Sequence, residues 1–189
     1  HDYVSYVDKA SEKKVVSALR KLLPEAGFIA EEGSAAYSDE TYCWVVDPLD
    51  GTTNYIHDNA PYCVSIALRD KQSLLLGVVY EPCRDECFYA WKGGGAYVNG
   101  ERLRVSLVSE PKDAFVVTEL PYNFEQYART GEHLIHELYG KVAGIRMNGS
   151  AALALCYVAA GRFDAWLEAF IGKWDFSAAA LMVLEAGGK

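Results

Sequence analysis

Several features are scarce in this sequence, and each scarcity narrows what the chain can be. Clustered positive charge is missing: 18 Lys and Arg stand against 26 Asp and Glu, for a formal net charge of -8. Neutralising a nucleic-acid backbone needs a basic face, so the composition argues against a nucleic-acid partner. The same excess of negative charge would repel an anionic substrate unless something positive sits in the site, and a bound cation is the obvious candidate. Long apolar runs are missing too. None approaches the roughly 20 residues of a membrane-spanning helix. No basic start followed by an apolar run marks a signal peptide, so no membrane partner is expected. The five cysteines, Cys43, Cys63, Cys83, Cys87 and Cys156, are odd in number and lack a framework spacing. That usage reads as a reducing, cytoplasmic setting. Cys83 and Cys87 stand close together in a turn, but no His or second Cys pair completes a zinc site. Internal repeats, biased tracts and Pro/Ser-rich linkers are also absent.

What remains is an ordinary globular composition, 51% hydrophobic and 23% charged over 189 residues, enough for one domain with a full core. Apolar residues Val15, Val16, Leu19, Leu22 and Leu23 recur at helical spacing after Asp8, and Pro24 with Gly27 ends that helix. Thr41 to Val46 (TYCWVV) reads as a short buried strand. Strands follow over Val64–Leu68, Leu74–Tyr80, Cys87–Trp91 and Ala96–Val98, and Asn99-Gly100 makes a hairpin turn before Leu103–Val105. Gly93-Gly94-Gly95 lies between strands rather than between a strand and a helix, which makes it a turn and not a phosphate loop. From Phe115 the pattern alternates. It predicts a strand over Phe115–Thr118, a helix over Phe124–Tyr139, a strand near Ile145 and a small-residue helix over Ser150–Ala160. A strand over Phe163–Leu167 and a helix over Phe176–Leu184 complete it, closing at Gly187-Gly188. The fold class expected is mixed α/β in one domain of two lobes over residues 1–189. A sheet protein ending so soon after a helix cap lacks its next strand, which predicts missing terminal segments.

The chemistry concentrates where the TYCWVV strand runs into Asp47-Pro48-Leu49-Asp50-Gly51-Thr52-Thr53-Asn54. Pro48 keeps Asp47 extended, and Gly51 lets the backbone turn and approach a ligand. Asp50 is placed to cap a helix starting at Gly51 or Thr52, whose first-turn N–H groups form an anion site. Read from these residues alone, the segment is either a cap with a turn or a pair of carboxylates facing a phosphate. Two such charges about 4 Å apart cost roughly 4 kcal/mol even at a protein-surface dielectric. Magnesium, which prefers a few hard oxygen donors plus substrate phosphate, turns the same pair into ligands.

Trp44-Val45-Val46-Asp47-Pro48-Leu49-Asp50-Gly51-Thr52-Thr53-Asn54-Tyr55 resembles the first signature of the inositol monophosphatase family. Trp174-Asp175 followed by Glu185-Ala186-Gly187-Gly188 resembles the second, and Ala30-Glu31-Glu32 the acidic pair before the first. The likeness continues through Gly93 to Gly100 and Gly149-Ser150-Ala151, so it spans essentially the whole chain. It departs at Ala30, where the family usually has Gly, and at Phe176-Ser177-Ala178-Ala179-Ala180.

The resemblance implies a layered sugar-phosphatase fold with alternating layers of helices and sheets, and a site built residue by residue. Glu31, Asp47 and the Leu49 carbonyl hold one magnesium; Asp47, Asp50 and Asp175 hold a second; a third, weaker ion involves Glu31. Gly51 and Thr52 present N–H groups to phosphate. Asp8, in Ser5-Tyr6-Val7-Asp8, pairs with the Thr52 hydroxyl to orient water. Glu168 contacts substrate hydroxyls, and Ala151 lies in the same polyol pocket. The implied reaction is magnesium-dependent hydrolysis of a small phosphorylated polyol or sugar, inositol monophosphate first, by in-line attack of a metal-activated water. Substrates of fructose-1,6-bisphosphatase, histidinol-phosphatase or 3'(2'),5'-bisphosphate nucleotidase type are the alternatives within the family; Thr53, where the nucleotide-directed members tend to carry Lys, favours the inositol type. A catalytically silent regulatory relative is the alternative outside enzymology. The resemblance also implies a lithium-sensitive homodimer. The residues keep plainer readings open: Asp8 as a helix cap, Glu32 and Glu168 as solvated charges, Ser150 as an N-cap. No histidine (His1, His57, His133 or His136) takes a catalytic place.

Overall fold

The computed structural model describes residues 6–33, 36–120 and 124–189. His1 and Ser5, and with Ser5 the start of the Ser5–Asp8 segment, lie outside the described residues. Five helices and ten strands follow in the order α1 (Tyr6–Leu22), β1 (Gly27–Ala30), β2 (Cys43–Asp50), α2 (Thr52–Ile56), β3 (Cys63–Arg69), β4 (Leu74–Glu81), β5 (Glu86–Trp91), β6 (Gly95–Val98), β7 (Glu101–Arg102), β8 (Phe115–Glu119), α3 (Phe124–Leu138), β9 (Gly144–Arg146), α4 (Ala151–Ala159), β10 (Ala165–Glu168) and α5 (Lys173–Glu185).

Strands β1 to β7 form one sheet in sequence order, with β1 and β2 parallel and the remaining neighbours antiparallel. Strands β10, β8 and β9 form a second, parallel sheet. Strand β2 is buried along its whole length, and its alternation sorts side chains to two cores. Trp44 and Val46 face α1, where Val16 and Leu19, with Phe28 of β1, complete a cluster. Val45 faces the opposite way, into the larger core of α4 and α5. The layers therefore run α1, large sheet, α4 with α5, and then the small sheet, the alternation that the family resemblance implies.

Small residues let the middle layer close up. A Cβ on Gly77 of β4 would stand 2.5 Å from the Ala178 carbonyl oxygen of α5, so only glycine permits this approach of strand to helix. Ala152, Ala154, Ala178 and Ala179 are wholly buried in the same core.

Two expected elements differ. The strand expected over Leu103–Val105 is replaced by the two-residue β7 at Glu101–Arg102. Leu103 N–H still reaches the Ala96 carbonyl at 2.8 Å, but Val105 N–H turns to the Ala186 carbonyl at 3.2 Å, because its apolar side chain is drawn to the end of α5. The helix expected from Phe176 begins earlier, at Lys173, because Asp175 accepts the Gly172 N–H at 2.6 Å and so caps its own first turn.

Candidate active site

The site is assembled where β1 and β2 end side by side. Parallel pairing sets Ala30 opposite Val46, and the Glu31 N–H continues the ladder to the Val46 carbonyl at 3.2 Å. Glu31 is thereby laid beside Asp47, and their carboxyl groups hydrogen bond to each other.

Asp47 and Asp50 stand three apart, which in a regular strand would point them to opposite faces. The register instead slips by one residue: Asp47 pairs with Ser65 and Asp50 with Cys63. This bulge, at Pro48 where a ladder donor is missing, returns both carboxylates to one face. Strand β2 thus runs through the segment where a cap was expected. Asp50 does not cap α2; the residue before that helix is Gly51, at φ 89° and ψ 36°, with no side-chain cap. A Cβ at Gly51 would stand 3.0 Å from the Pro61 carbonyl oxygen and 3.1 Å from that of Gly149. Asp50 serves the far helix instead, accepting from the Ser150 hydroxyl at 2.6 Å and the Ala152 N–H at 2.8 Å. The physical reason is that α2 turns away in the left-handed region while the N-terminus of α4 points at the carboxylate.

The remaining expected residues fall as follows. Asp8 lies in α1, 1% exposed, and accepts the Thr52 hydroxyl at 2.9 Å; the same hydroxyl lies 2.9 Å from the Leu49 carbonyl. Asp175 enters from the start of α5, and Ser65 Oγ ties β3 to the Trp174 carbonyl at 3.4 Å. Ala151 is the buried first residue of α4. Glu168 ends β10 directly opposite Glu119 of β8. His57, His133 and His136 belong to none of these contacts. Ser150 caps α4 as expected, accepting from Leu153 N–H at 3.3 Å.

The electrostatics are those of acids crowded together. Burial, then the charges of neighbouring carboxylates, pushes Asp47 well above the usual range. Burial raises Glu31 to about 7, against the Asp47 hydrogen bond, with Asp175, Glu32 and Asp50 adding to the rise. Asp50 also rises to about 7, by burial first, although the Ser150 and α4 donors pull the other way. Burial lifts Glu168 to about 8, helped by Glu119. Glu31 Oε2 and Glu168 Oε2 are buried without a hydrogen-bond partner.

Among the described residues no three His, Cys, Asp or Glu side chains form a ready-made metal cage. Each acid is engaged with its own partner: Glu31 with Asp47, Asp50 with Ser150, Asp175 with Gly172. The residues nevertheless fit a hard divalent cation, because the donors are carboxylates and a carbonyl, and Oε2 of Glu31, whose carboxyl meets Asp47, is a buried acceptor without a partner. Four acids sharing a buried face otherwise repel one another.

Three contributors escape the reading of the sequence as functional parts. Asn54 Nδ2 donates to the Pro61 and Asn148 carbonyls, both at 2.7 Å. Glu119 Oε1 accepts the Asn148 N–H at 2.5 Å and the Gly149 N–H at 2.8 Å. Glu12, wholly buried in α1, accepts the Glu32 N–H at 2.8 Å. Asn54 alone had a signal, as the end of the long signature.

Comparison with known proteins bears on the family and the fold. The model described as "Inositol monophosphatase family" matches residues 1–189. Nus factor SuhB of Escherichia coli K12 is 43% identical over 189 residues, covering 100% of this chain and 71% of that protein. Inositol-1-monophosphatase of Rhizobium meliloti is 41% identical over 192 residues, covering 99% of this chain and 71% of that protein. The crystal structure of extragenic suppressor protein suhB from Bartonella henselae superposes with a TM-score of 0.93 at 41% identity, covering 98% of this chain and 72% of that one.

Proposed function

The chain belongs to the inositol monophosphatase family and so to its phosphatases, and we propose that it hydrolyses a small phosphorylated polyol, inositol monophosphate first, with magnesium held by Glu31, Asp47, Leu49, Asp50 and Asp175. The observation that carries this reading is the orphaned Glu31 Oε2 amid acids whose affinity for protons is raised by burial first and then by neighbouring carboxylates. Such a face is unfavourable by itself and becomes favourable when a divalent cation replaces the protons. The magnesium supplies, when bound, positive charge that draws in the phosphate and stabilises charge developing on its oxygens.

The chain's own residues would do the rest. Asp8 fixes the Thr52 hydroxyl hydrogen, which leaves a lone pair of Thr52 Oγ1 turned outward to accept from a water. Held there, the water is oriented for attack on phosphorus opposite the departing alcohol oxygen. The P–O bond to the polyol breaks, yielding inorganic phosphate and the free alcohol. Gly51 and Thr52 open a helical turn whose first N–H groups lie outside the helix ladder and suit phosphate oxygens. Glu168, its Oε2 buried without a partner, suits a substrate hydroxyl. A carboxyl raised to about 8 is largely neutral near pH 7, so it can donate as well as accept.

The test is phosphate release by the full chain from inositol 1-phosphate, fructose 1,6-bisphosphate, histidinol phosphate and 3'-phosphoadenosine 5'-phosphate, with magnesium and with it chelated. Magnesium-dependent turnover of inositol 1-phosphate well above the others is expected. Preference for another member of the panel would overturn the substrate. The name of the Escherichia coli relative, a Nus factor, favours a second reading in which the chain acts without turnover. No release from any substrate by folded protein would move the assignment to that reading.

A further inference from the structure

We propose that Ser150 is a positioning residue for the phosphatase reaction: its hydroxyl orients the Asp50 carboxylate and thereby sets how tightly the acidic face takes magnesium. The proposal rests on the reading above, in which Asp50 is a magnesium ligand.

Ser150 is 1% exposed and sits before α4 in an extended conformation, φ -148° and ψ 105°. A capping side chain needs only to accept, and Ser150 Oγ does so from Leu153 N–H at 3.3 Å. That contact commits a lone pair, and the hydroxyl hydrogen is directed at Asp50 Oδ2, 2.6 Å away. The arrangement is a relay in which the backbone of α4 orients Ser150 and Ser150 orients Asp50. Asp50 Oδ2 also accepts the Ala152 N–H at 2.8 Å and lies 3.8 Å from the Cys63 thiol. Oδ2 of Asp50 is therefore engaged by three groups of the protein, which fix the plane in which the carboxylate would meet a cation. Cys63, 3.7 Å from Ser150 Oγ, closes the other side of the hydroxyl and restricts its rotation. Capping alone does not require the second half of this relay: a residue that only accepts, or glycine with no side chain at all, is tolerated at such a position nearly as well as serine.

That asymmetry supplies the test. S150G keeps the backbone and nearly all of the capping stability but removes the donor; S150T keeps both halves of the relay. Magnesium binding to the full chain is measured without substrate by isothermal titration calorimetry with magnesium chloride. Turnover of inositol 1-phosphate is measured in parallel as a function of magnesium concentration, and the melting temperature is measured without magnesium. S150G is expected to weaken magnesium binding about tenfold to a hundredfold, the range typical for loss of a partner that orients a metal ligand. The half-saturating magnesium concentration in turnover should rise by a similar factor, the ion-free melting temperature should change little, and S150T should restore both affinities. Wild-type affinity in S150G, or an S150T variant as weak as S150G, would overturn the role of Ser150 while leaving the magnesium site standing. A wild-type protein that neither binds magnesium nor releases phosphate would overturn the site and this proposal with it.

Discussion

Protons and magnesium compete for the same oxygens here, and the size of the competition follows from the geometry. Glu31 and Asp47 hydrogen bond through their carboxyl groups, which requires one proton between them. Two unit charges about 4 Å apart repel by about 4 kcal/mol at an effective dielectric near 20, or about three pK units. Burial first, then the charges of Asp175, Glu32 and Asp50, bring Glu31 to about 7 against the Asp47 hydrogen bond, and burial brings Asp50 to about 7 as well. Both values lie above those of the unfolded chain. Without magnesium these acids therefore stabilise the fold at pH below about 4, and the contribution is lost as pH rises through about 7. For Glu31, partly open to solvent, the loss is screened down to about 2 kcal/mol. Magnesium reverses the trend, because it needs the deprotonated oxygens: lowering the pH from about 7 to about 5.5 weakens its binding by about fifteenfold for each proton displaced from a group that titrates at about 7. Melting temperatures with and without magnesium at about pH 5.5 and about pH 8 measure the first effect. Calorimetry at about pH 6 in two buffers of different ionisation enthalpy counts the protons. One to two protons released, with a larger magnesium-induced rise in melting temperature at the higher pH, are expected. Equal rises at both pH values with no proton released would refute the shared-proton account.

Asp47→Asn should cost at least a hundredfold in magnesium-dependent turnover, on the order of the largest effects seen for residues that merely orient ligands. It should also raise the ion-free melting temperature at about pH 8, since the side-chain amide of the variant donates to Glu31 without needing a bound proton and its oxygen can still accept the Leu49 N–H, as Asp47 Oδ1 does. Gly51→Ala meets two carbonyl oxygens and a positive φ; a loss of about 2 kcal/mol, or roughly 4–8 °C in melting temperature, is expected from thermal unfolding. Asn54→Ala strands the Pro61 and Asn148 carbonyls, with an expected loss of about 1–3 kcal/mol in denaturant titration. Glu168→Gln should raise KM for inositol 1-phosphate more than it lowers kcat, because in the proposed reading the residue would meet substrate hydroxyls and not the phosphate; steady-state kinetics separates the two.

The elements that could be read from the sequence are those whose signals are local. The apolar run before Asp47 marks β2, the spacing of Val16 and Leu19 marks the buried side of α1, and the small residues after Ser150 mark α4. The errors share a cause as well. Pro48 and Gly51 look like punctuation, which argues for a strand ending before them; the slip against β3 that carries the strand through to Asp50 depends on a partner strand that no local pattern names. The strand expected at Leu103–Val105 does not form because Val105 is claimed by the end of α5, far along the chain.

The site divides along the same line. Its acids stand in short local motifs, Glu31 beside Glu32, Asp47 with Asp50, and Asp175 after Trp174, which the family resemblance picks out, whereas the contacts that aim them cross the chain: Thr52 to Asp8 over 44 residues, Asn54 to Asn148 over 94, Ser150 to Asp50 over 100. A hydroxyl that both accepts and donates shows only its local half to a reader of sequence. The accepting half of Ser150 is an N-cap, visible from the helix that follows it. The donating half comes into being only when α4 is packed against the end of β2, and it is there that an ordinary cap becomes part of the acidic face.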